Sequence, residues 1–475
     1  MNYKTLGKTG RKISVTGFGT YRVSYMVRSH EEALTRALSN GVNLIDTSAN
    51  YTDGGSEMLI GNVVNKMVVE GEVKREDLVI VSKGGYLQGG NLESARDREI
   101  AGNPYSEVVV CAPDLWHCIH PDFLNDQISH SLERLKMDYI DVYLLHNPEY
   151  FLNYSVYDDE GEQLNEYYYR IQKAFEYLEA EVARGRIRSY GISSNTFGVP
   201  ANEGDFTSLE RILSLAHHSE IIKNFSVIQF SMNLMERGGW ANLNQAGGTK
   251  NVLTLAAENN LGVLINRPLN GIKKDRLFRL AEFEVTEDRT EEEVDLLIES
   301  VKAKEIELKS EYVVPLQAEP SEKRAFVDCL STASLLAEHK KSFHGVTHFN
   351  EINSQFLIPK INYVLSELDK KYDSDSLRKK LNSYGVEVQI LLDSFRSILA
   401  GQHNKKLKAY HKEIDKATGG IYSGQPLSRK AVAMLNSLPQ VSATLIGMRN
   451  IEYVDDMLAA GELEAVVGAE AFWEG

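Results

Sequence analysis

Residues 43–57 read NLIDTSANYTDGGSE. An apolar run of strand length, Val42–Asp46, passes at once into polar chain: Asp46, Thr47 and, one short loop later, Tyr51. The same form recurs along the chain. Strands are read at Ile13–Gly19, Val42–Asp46, Leu78–Ser82, Tyr139–Leu145, Arg188–Ile192, Ser226–Ser231, Gly262–Asn266 and Ser442–Ile446. Between them, apolar residues at i, i+3, i+4 and i+7 predict helices, as over Glu31–Ser39, Pro121–Leu135, Tyr167–Ala183 and Val252–Asn259. Helix ends carry Gly and Asn, as in Asn40-Gly41 and Arg184-Gly185. Alternating strand and helix implies a parallel sheet with right-handed crossovers. An open doubly wound sheet is the rival, but no G-x-G-x-x-G follows an early strand. Eight strands favour an α/β fold of the closed (β/α)8 TIM-barrel type.

Composition narrows the setting. The 475 residues are 43% hydrophobic, enough for a large core. Three cysteines are too few for a disulfide framework and fit a reducing compartment. No apolar h-region opens the chain and no run of about 18 apolar residues occurs, so a cytoplasmic protein without a membrane span is expected. A formal charge of −15 argues against nucleic-acid or anionic-membrane partners, which would repel it.

A barrel places chemistry just after its strands, at the C-terminal face. Gly19, Thr20 and Tyr21 follow strand one; Asp46, Thr47 and Tyr51 follow strand two; Ser82-Lys83 ends strand three; strand four runs into His146-Asn147. Strand five delivers Ser193-Ser194-Asn195, Gln229 lies on strand six, Arg267 follows strand seven, and Gly447 to Asn450 follow strand eight. One polar strand end is ordinary loop chemistry. Complementary ionisable residues at three successive ends are not. A free tyrosine, with a pKa of about 10, is a poor acid at neutrality. An ammonium beside it is expected to lower that value, and a carboxylate to hold the ammonium in place. A neighbouring imidazole can bond the phenol and a substrate oxygen. Asp46, Tyr51, Lys83 and His146 together thus make a proton donor for a carbonyl. Taken singly they read as a helix cap, a packing aromatic, a solvated charge and a core histidine.

NLIDTSANYTDGGSE, VIVSKGG, LERLKMDYIDVYLLHNPE, GRIRSYGISSN, VIQFSMNLMER, RPLNG and LIGMRN, in this order and spacing, resemble the aldo-keto reductase superfamily over residues 1–271 and 426–460. The resemblance implies a barrel binding NADPH, or NADH, across its mouth. It implies Tyr51 as general acid, Lys83 as its partner, Asp46 holding Lys83, and His146 orienting the substrate. Gln229 matches the residue that bonds the nicotinamide carboxamide, and the matching Ser-Asn pair falls within Ser193, Ser194 and Asn195. Gly19, Thr20 and Tyr21 fall at the cofactor side of the mouth. The stretch after strand seven has Arg267 and Leu269 where relatives often stack an aromatic, so Arg267 is expected at the diphosphate. Gly447, Met448 and Arg449 match the adenosine-phosphate loop, with Arg449 on a 2′-phosphate, since guanidinium suits bidentate phosphate recognition.

Two stretches depart from that pattern. Gly84–His120 holds Cys111, Trp116, His117, Cys118 and His120, but without zinc-ligand spacing, so no metal is expected. Tyr86, Trp116 and His117 are expected to line the substrate pocket. Lys274 to Gln425 is charged and amphipathic at helical spacing, with Pro315, Pro320 and Pro359 breaking its runs. The expected domains are therefore 1–273, with strands one to seven; 274–425, a helical insertion subdomain serving as lid, oligomer contact or docking surface; and 426–475, with strand eight and a C-terminal helix. The function expected is NAD(P)H-dependent interconversion of a small carbonyl or sugar with its alcohol. The alternative is a regulatory or scaffold protein that binds the cofactor and docks a partner through the insertion.

Overall fold

The structure, a computed structural model, describes residues 1–218, 222–273 and 276–474. Eight parallel strands close into a barrel in chain order: β1 (Thr16–Gly19), β2 (Leu44–Asp46), β3 (Val79–Gly84), β4 (Ile140–His146), β5 (Ile187–Ser193), β6 (Phe225–Ser231), β7 (Gly262–Asn266) and β8 (Ala443–Gly447). Seven lie within two residues of the strands read from sequence. The first differs. Ile13–Gly19 was expected to be continuous, but Lys12–Ser14 pairs antiparallel with Tyr3–Thr5, and only Thr16–Gly19 joins the barrel. Side chains make the break: the Ser14 hydroxyl donates to the Thr16 carbonyl at 2.8 Å, and Asn43 Oδ1 accepts from the Ser14 N–H at 2.7 Å. An apolar run cannot report such a turn.

That N-terminal hairpin serves the core. Its Leu6 and Ile13 pack with Leu44, Val79, Val142, Leu264 and Leu445 inside the barrel. Leu6 lies against Gly262, the first residue of β7, where any Cβ would come within 2.5 Å of it. The end where the strands start is therefore stoppered by apolar side chains, and the C-terminal end is left as the mouth. Register sets the height of each mouth residue. Gly447, Gly19 and Asp46 share one row across β8, β1 and β2; His146, Ser193 and Gln229 share another across β4, β5 and β6.

Helices Arg28–Ser39, Gly55–Val69, Pro121–Leu135, Glu160–Ala183, Leu209–His218, Val252–Glu258, Leu427–Asn436 and Ile451–Glu462 flank the strands. Pro121 opens its helix at a position where no backbone N–H is needed. Between β3 and Pro121 the chain forms a small antiparallel sheet, Tyr86–Leu87, Val109–Ala112 and Leu115–His117, with the helix Gly89–Ile100.

The chain divides into two compact units: Met1–Leu280 with Tyr410–Gly475, and Ala281–Ala409. The boundary expected at Lys274 lies outside the described residues. The second unit is helical, with its own core of Val294, Ile298, Phe326, Leu336, Phe349, Val364, Tyr384 and Leu391 among others. Its first helix, Glu291–Leu308, starts in a capping box of Thr290 and Glu293. Pro359, expected to break a run, sits in the first turn of Ile358–Tyr372, just after the preceding α-helical run has ended at Ile352, and there its missing N–H leaves no bond unmade. A π-type turn over Asn353–Leu357 joins that helix to Val346–Ile352. Among the described residues no helix is long and apolar enough to cross a membrane.

Candidate active site

The ends of β2, β3 and β4 bring four ionisable or polar groups together. The Lys83 ammonium, fully buried, donates to Asp46 Oδ2 at 2.7 Å and to the Thr47 carbonyl at 2.8 Å. Its third direction reaches the Tyr51 phenol oxygen at 3.5 Å. The other Asp46 oxygen accepts from the Gln229 amide at 2.7 Å, and Gln229 Oε1 accepts from the Ser193 hydroxyl at 3.0 Å. Both carboxylate oxygens are thus satisfied, and a carboxylate can stay ionised away from water. The His146 ring lies edge-on to Tyr51, with centroids 5.9 Å apart, and its Nδ1 is 3.0 Å from the Ser48 hydroxyl.

Electrostatics follow from that packing. Burial pulls the Lys83 ammonium below its usual value, against the opposing pull of Asp46. Burial, helped by the positive charge of Lys83, holds His146 well below 6.5, so its imidazole is neutral near pH 7. The expectation for Tyr51 is corrected. Its phenol is raised well above 10, first by burial and then by the charge of Asp46 and by Tyr21. Lys83 was expected to lower it, but the lysine makes its two short bonds to Asp46 and Thr47 and meets the phenol oxygen only at 3.5 Å. Tyr51 is therefore a neutral phenol near pH 7.

The other expected residues separate. Tyr21 is exposed and stands edge-on to Tyr51 at 5.2 Å. Thr20 donates to the Asp46 carbonyl at 2.9 Å, and Gly19 pairs with Asp46 in the sheet. Of the three residues after β5, only Ser193 joins the network. Ser194 turns to Thr196 and Thr207, each at 3.1 Å, and Asn195 is exposed with its N–H on Glu149. Arg267, placed at a diphosphate by expectation, pairs with Glu236 at 2.9 Å and Ser231 at 2.7 Å, from a backbone at φ +52°. An arginine already neutralised by a carboxylate is a poor anion receptor. Leu269 and Met448 are buried. Gly447 and Arg449 are exposed, and Arg449 makes no ion pair among the described residues. Tyr86 reaches the mouth, its ring 4.7 Å from and perpendicular to His146. Trp116 and His117 are corrected as pocket residues: Trp116 packs beside Leu87, Leu92 and Phe123 with Arg96 over its ring, and His117 is buried against the His146 backbone.

Several site residues escaped the sequence reading. Ser48, Asn50, Gln88 and Glu149 all bond within this cluster. Their signal was position alone, since each follows a strand end within a few residues. Side-chain direction, which decides membership, has no local signature.

A profile described as the Aldo/keto reductase family matches residues 16–305, more than half of the chain. The chain belongs to that family. Relatives of this aldo/keto reductase include an NAD(P)H-dependent D-xylose reductase of Scheffersomyces stipitis, 28% identical over 195 residues, which are 39% of this chain and 50% of that protein. An aldose reductase of Encephalitozoon cuniculi is 30% identical over 189 residues, again 39% of this chain and 50% of that one. The chain spans about half the length of the curated relatives it matches. A solved aldo-keto reductase from Klebsiella pneumoniae, in complex with NADPH, matches 56% of this chain and 68% of its own at 19% identity, with a TM-score of 0.34.

Proposed function

We propose that this aldo/keto reductase interconverts a carbonyl and its alcohol with NADPH, Tyr51 supplying the proton to the carbonyl oxygen. The observation that carries the reading is the buried Lys83 ammonium, bonded to Asp46 and within 3.5 Å of the Tyr51 phenol at the barrel mouth. NADPH, when bound, supplies the hydride. Tyr51, neutral before the reaction, donates from its phenol oxygen; the phenolate left behind is stabilised by Lys83, whose charge Asp46 keeps in place. Burial excludes water from the Lys83–Asp46 pair and strengthens that stabilisation. In alcohol oxidation the same phenolate takes the proton back.

The residues fit the cofactor at the β8 end. Gly447 offers open space, Arg449 carries a charge with no ion pair among the described residues, and the helix Ile451–Glu462 begins directly beyond, its N-terminus favouring anions. Arg449 is the residue proposed for the 2′-phosphate, which makes NADPH the preferred form over NADH. The names of the relatives, a xylose reductase and an aldose reductase, support small aldehydes and aldoses as substrates. Three free cysteines support a reducing, cytoplasmic setting. The unit Ala281–Ala409 is proposed as an insertion in the barrel between β7 and β8.

Tyr51→Phe tests the assignment. Consumption of NADPH with an aldehyde and aldose panel should fall at least about a hundredfold, while fluorescence-quench titration shows unchanged NADPH binding. Turnover retained in the variant removes Tyr51 as the acid; a wild-type chain that binds neither NADPH nor NADH removes the oxidoreductase reading.

A further inference from the structure

The chain that leaves Tyr51 is bent against its preference. Thr52, Asp53 and Gly54 follow one another at φ +48°, +54° and +80°, all in the left-handed region. Glycine enters that region freely and aspartate tolerates it, but a β-branched residue such as threonine is strongly disfavoured there. Such a run persists only where its surroundings over-determine it. Three anchors do so. The Thr52 hydroxyl lies 2.8 Å from the Val23 carbonyl and 2.8 Å from the Tyr51 carbonyl, so its proton ties the loop after β1 to the residue that carries the phenol. Asp53 Oδ1 accepts from the Gly90 N–H at 3.0 Å, in the first turn of the helix Gly89–Ile100. Gly54 lies against Arg134, where a Cβ would come within 2.6 Å of the side chain; Arg134 in turn donates to Glu57, which accepts also from Ser82, the neighbour of Lys83. The loop after β1 is held a second time, by the Tyr25 N–H on the Gly55 carbonyl at 3.2 Å, and it carries Tyr21, edge-on to the Tyr51 ring. The donor in each bond is fixed, because its partner is a carbonyl oxygen or a backbone N–H.

We propose that Thr52 and Asp53 are positioning residues for Tyr51: their strained turn, anchored on the loop after β1 and on the helix Gly89–Ile100, fixes where the phenol stands beside the Lys83–Asp46 pair. The inference rests on the proposed reduction for its purpose, since it names what holds the acid. Asp46, Lys83 and His146 lie on β2, β3 and β4 and take their places from the register of the barrel. Tyr51 has no such support. It stands in the loop beyond β2, and its phenol meets Lys83 Nζ at 3.5 Å, the outer limit of a hydrogen bond. Proton transfer is sensitive to displacements of about 1 Å, so a loop that carries the acid must be pinned from outside. Glycine at 52 and 53 would relieve the backbone strain. Threonine and aspartate keep the strain and each adds an anchor, on opposite sides of Tyr51. The turn is thus built for the place of the phenol and not for the stability of the chain.

The test reads Tyr51 directly, by carbon NMR of the full-length chain carrying tyrosine labelled at the ring carbon that bears the hydroxyl, without cofactor or substrate. The Tyr51 signal is assigned by its loss in Tyr51→Phe, and the wild type should show it single and sharp. Thr52→Gly and Asp53→Gly suit the left-handed backbone and remove the anchors. Both should keep or raise the urea midpoint while the Tyr51 signal shifts and broadens. Thr52→Ser and Asp53→Asn retain a hydroxyl and an acceptor, so they should leave the signal at its wild-type position. With NADPH and an aldehyde, the glycine variants should lose at least about tenfold in kcat, with KM changed less than about twofold. A sharp, unmoved Tyr51 signal in the glycine variants overturns the proposal, and so does an undiminished kcat where the signal has broadened. A fall in the urea midpoint, or loss of folding, in both glycine variants overturns it too, because the anchors then serve stability. A wild-type chain that reduces no carbonyl defeats the proposed function, while the Tyr51 signal still decides whether the turn holds the phenol.

Discussion

The two halves of the barrel mouth are built on different terms. Across β2, β3 and β4 the polar groups are matched before any ligand arrives: Asp46 with Lys83 and Gln229, His146 with Ser48, Asn147 with Tyr86. Across β7 and β8 one arginine is consumed by Glu236 and the other, Arg449, stands exposed. On the proposed function, the first arc acts on charge that develops during a reaction, so its dipoles need no rearrangement. The second, on the same proposal, receives charge that arrives on a ligand and keeps its cation uncommitted. Chemistry demands partners within the protein, and binding demands a vacancy for one outside it.

The sharpest way to break this contrast is to unpair the first arc. Lys83→Met should abolish turnover and, by leaving Asp46 buried without its cation, lower stability by about 3–5 kcal/mol at neutral pH in urea denaturation. The double variant Lys83→Met with Asp46→Leu should recover much of that stability and none of the turnover. A single-variant loss below about 1 kcal/mol means that the pair is solvated, and that the two arcs do not differ as argued.

The gathering of these side chains, which the proposed function makes catalytic, was legible in the sequence because acid–base chemistry needs particular side chains, and a barrel presents them at strand ends. Asp46, Lys83 and His146 could be named from residue type and strand periodicity alone, and Tyr51 from the loop that follows β2. Three things were hidden. Whether Ser193 or Ser194 faces inward depends on pleat direction and on Thr207, which lies beyond the strand in sequence but within hydrogen-bond reach of Ser194. Whether Arg267 is free depends on Glu236, from the loop after β6. The rise of the Tyr51 pKa was hidden for the same reason: its cause is desolvation by the assembled mouth, which no neighbour in the chain announces. The barrel itself was readable because eight apolar runs of strand length are hard to arrange otherwise, while the break at Val15 rests on two side-chain bonds.

Glu149 sharpens the contrast from the junction of β4 and β5. It is buried like Asp46 but makes no ion pair among the described residues. Its Oε1 accepts from the Asn195 N–H at 2.8 Å, and its Oε2 has no partner among the described residues. Burial pushes its carboxyl up to about 7, with Asp205 adding to the rise and the Asn195 N–H and Ser194 hydroxyl opposing it. A carboxyl with a raised folded value binds its proton more tightly folded than unfolded. Its stabilising share is therefore complete below the unfolded value and is lost as pH rises through about 7. Between pH 4.5 and 7.5 the wild type should lose up to about 3 kcal/mol relative to Glu149→Gln, read as the difference between their urea-derived stabilities at each pH. Parallel curves would mean that Glu149 is paired or hydrated, like the rest of the first arc.

The smallest effect belongs to the vacant side. Arg449→Ala removes a group with no ion pair among the described residues, so stability should change by less than about 0.5 kcal/mol. Affinity should fall only for the ligand that brings the missing charge. A charge-assisted bond of about 1.5–3 kcal/mol predicts roughly ten- to a hundredfold weaker NADPH binding, with NADH binding unchanged. Equal weakening of both nucleotides shifts Arg449 from the 2′-phosphate to the shared diphosphate, and the second arc still reads as a receptor. No weakening of either, with binding intact, removes Arg449 from the cofactor site. The burden of holding the anion then falls on the N–H groups that open the helix Ile451–Glu462, where Asn450 already caps the Tyr453 N–H at 2.9 Å.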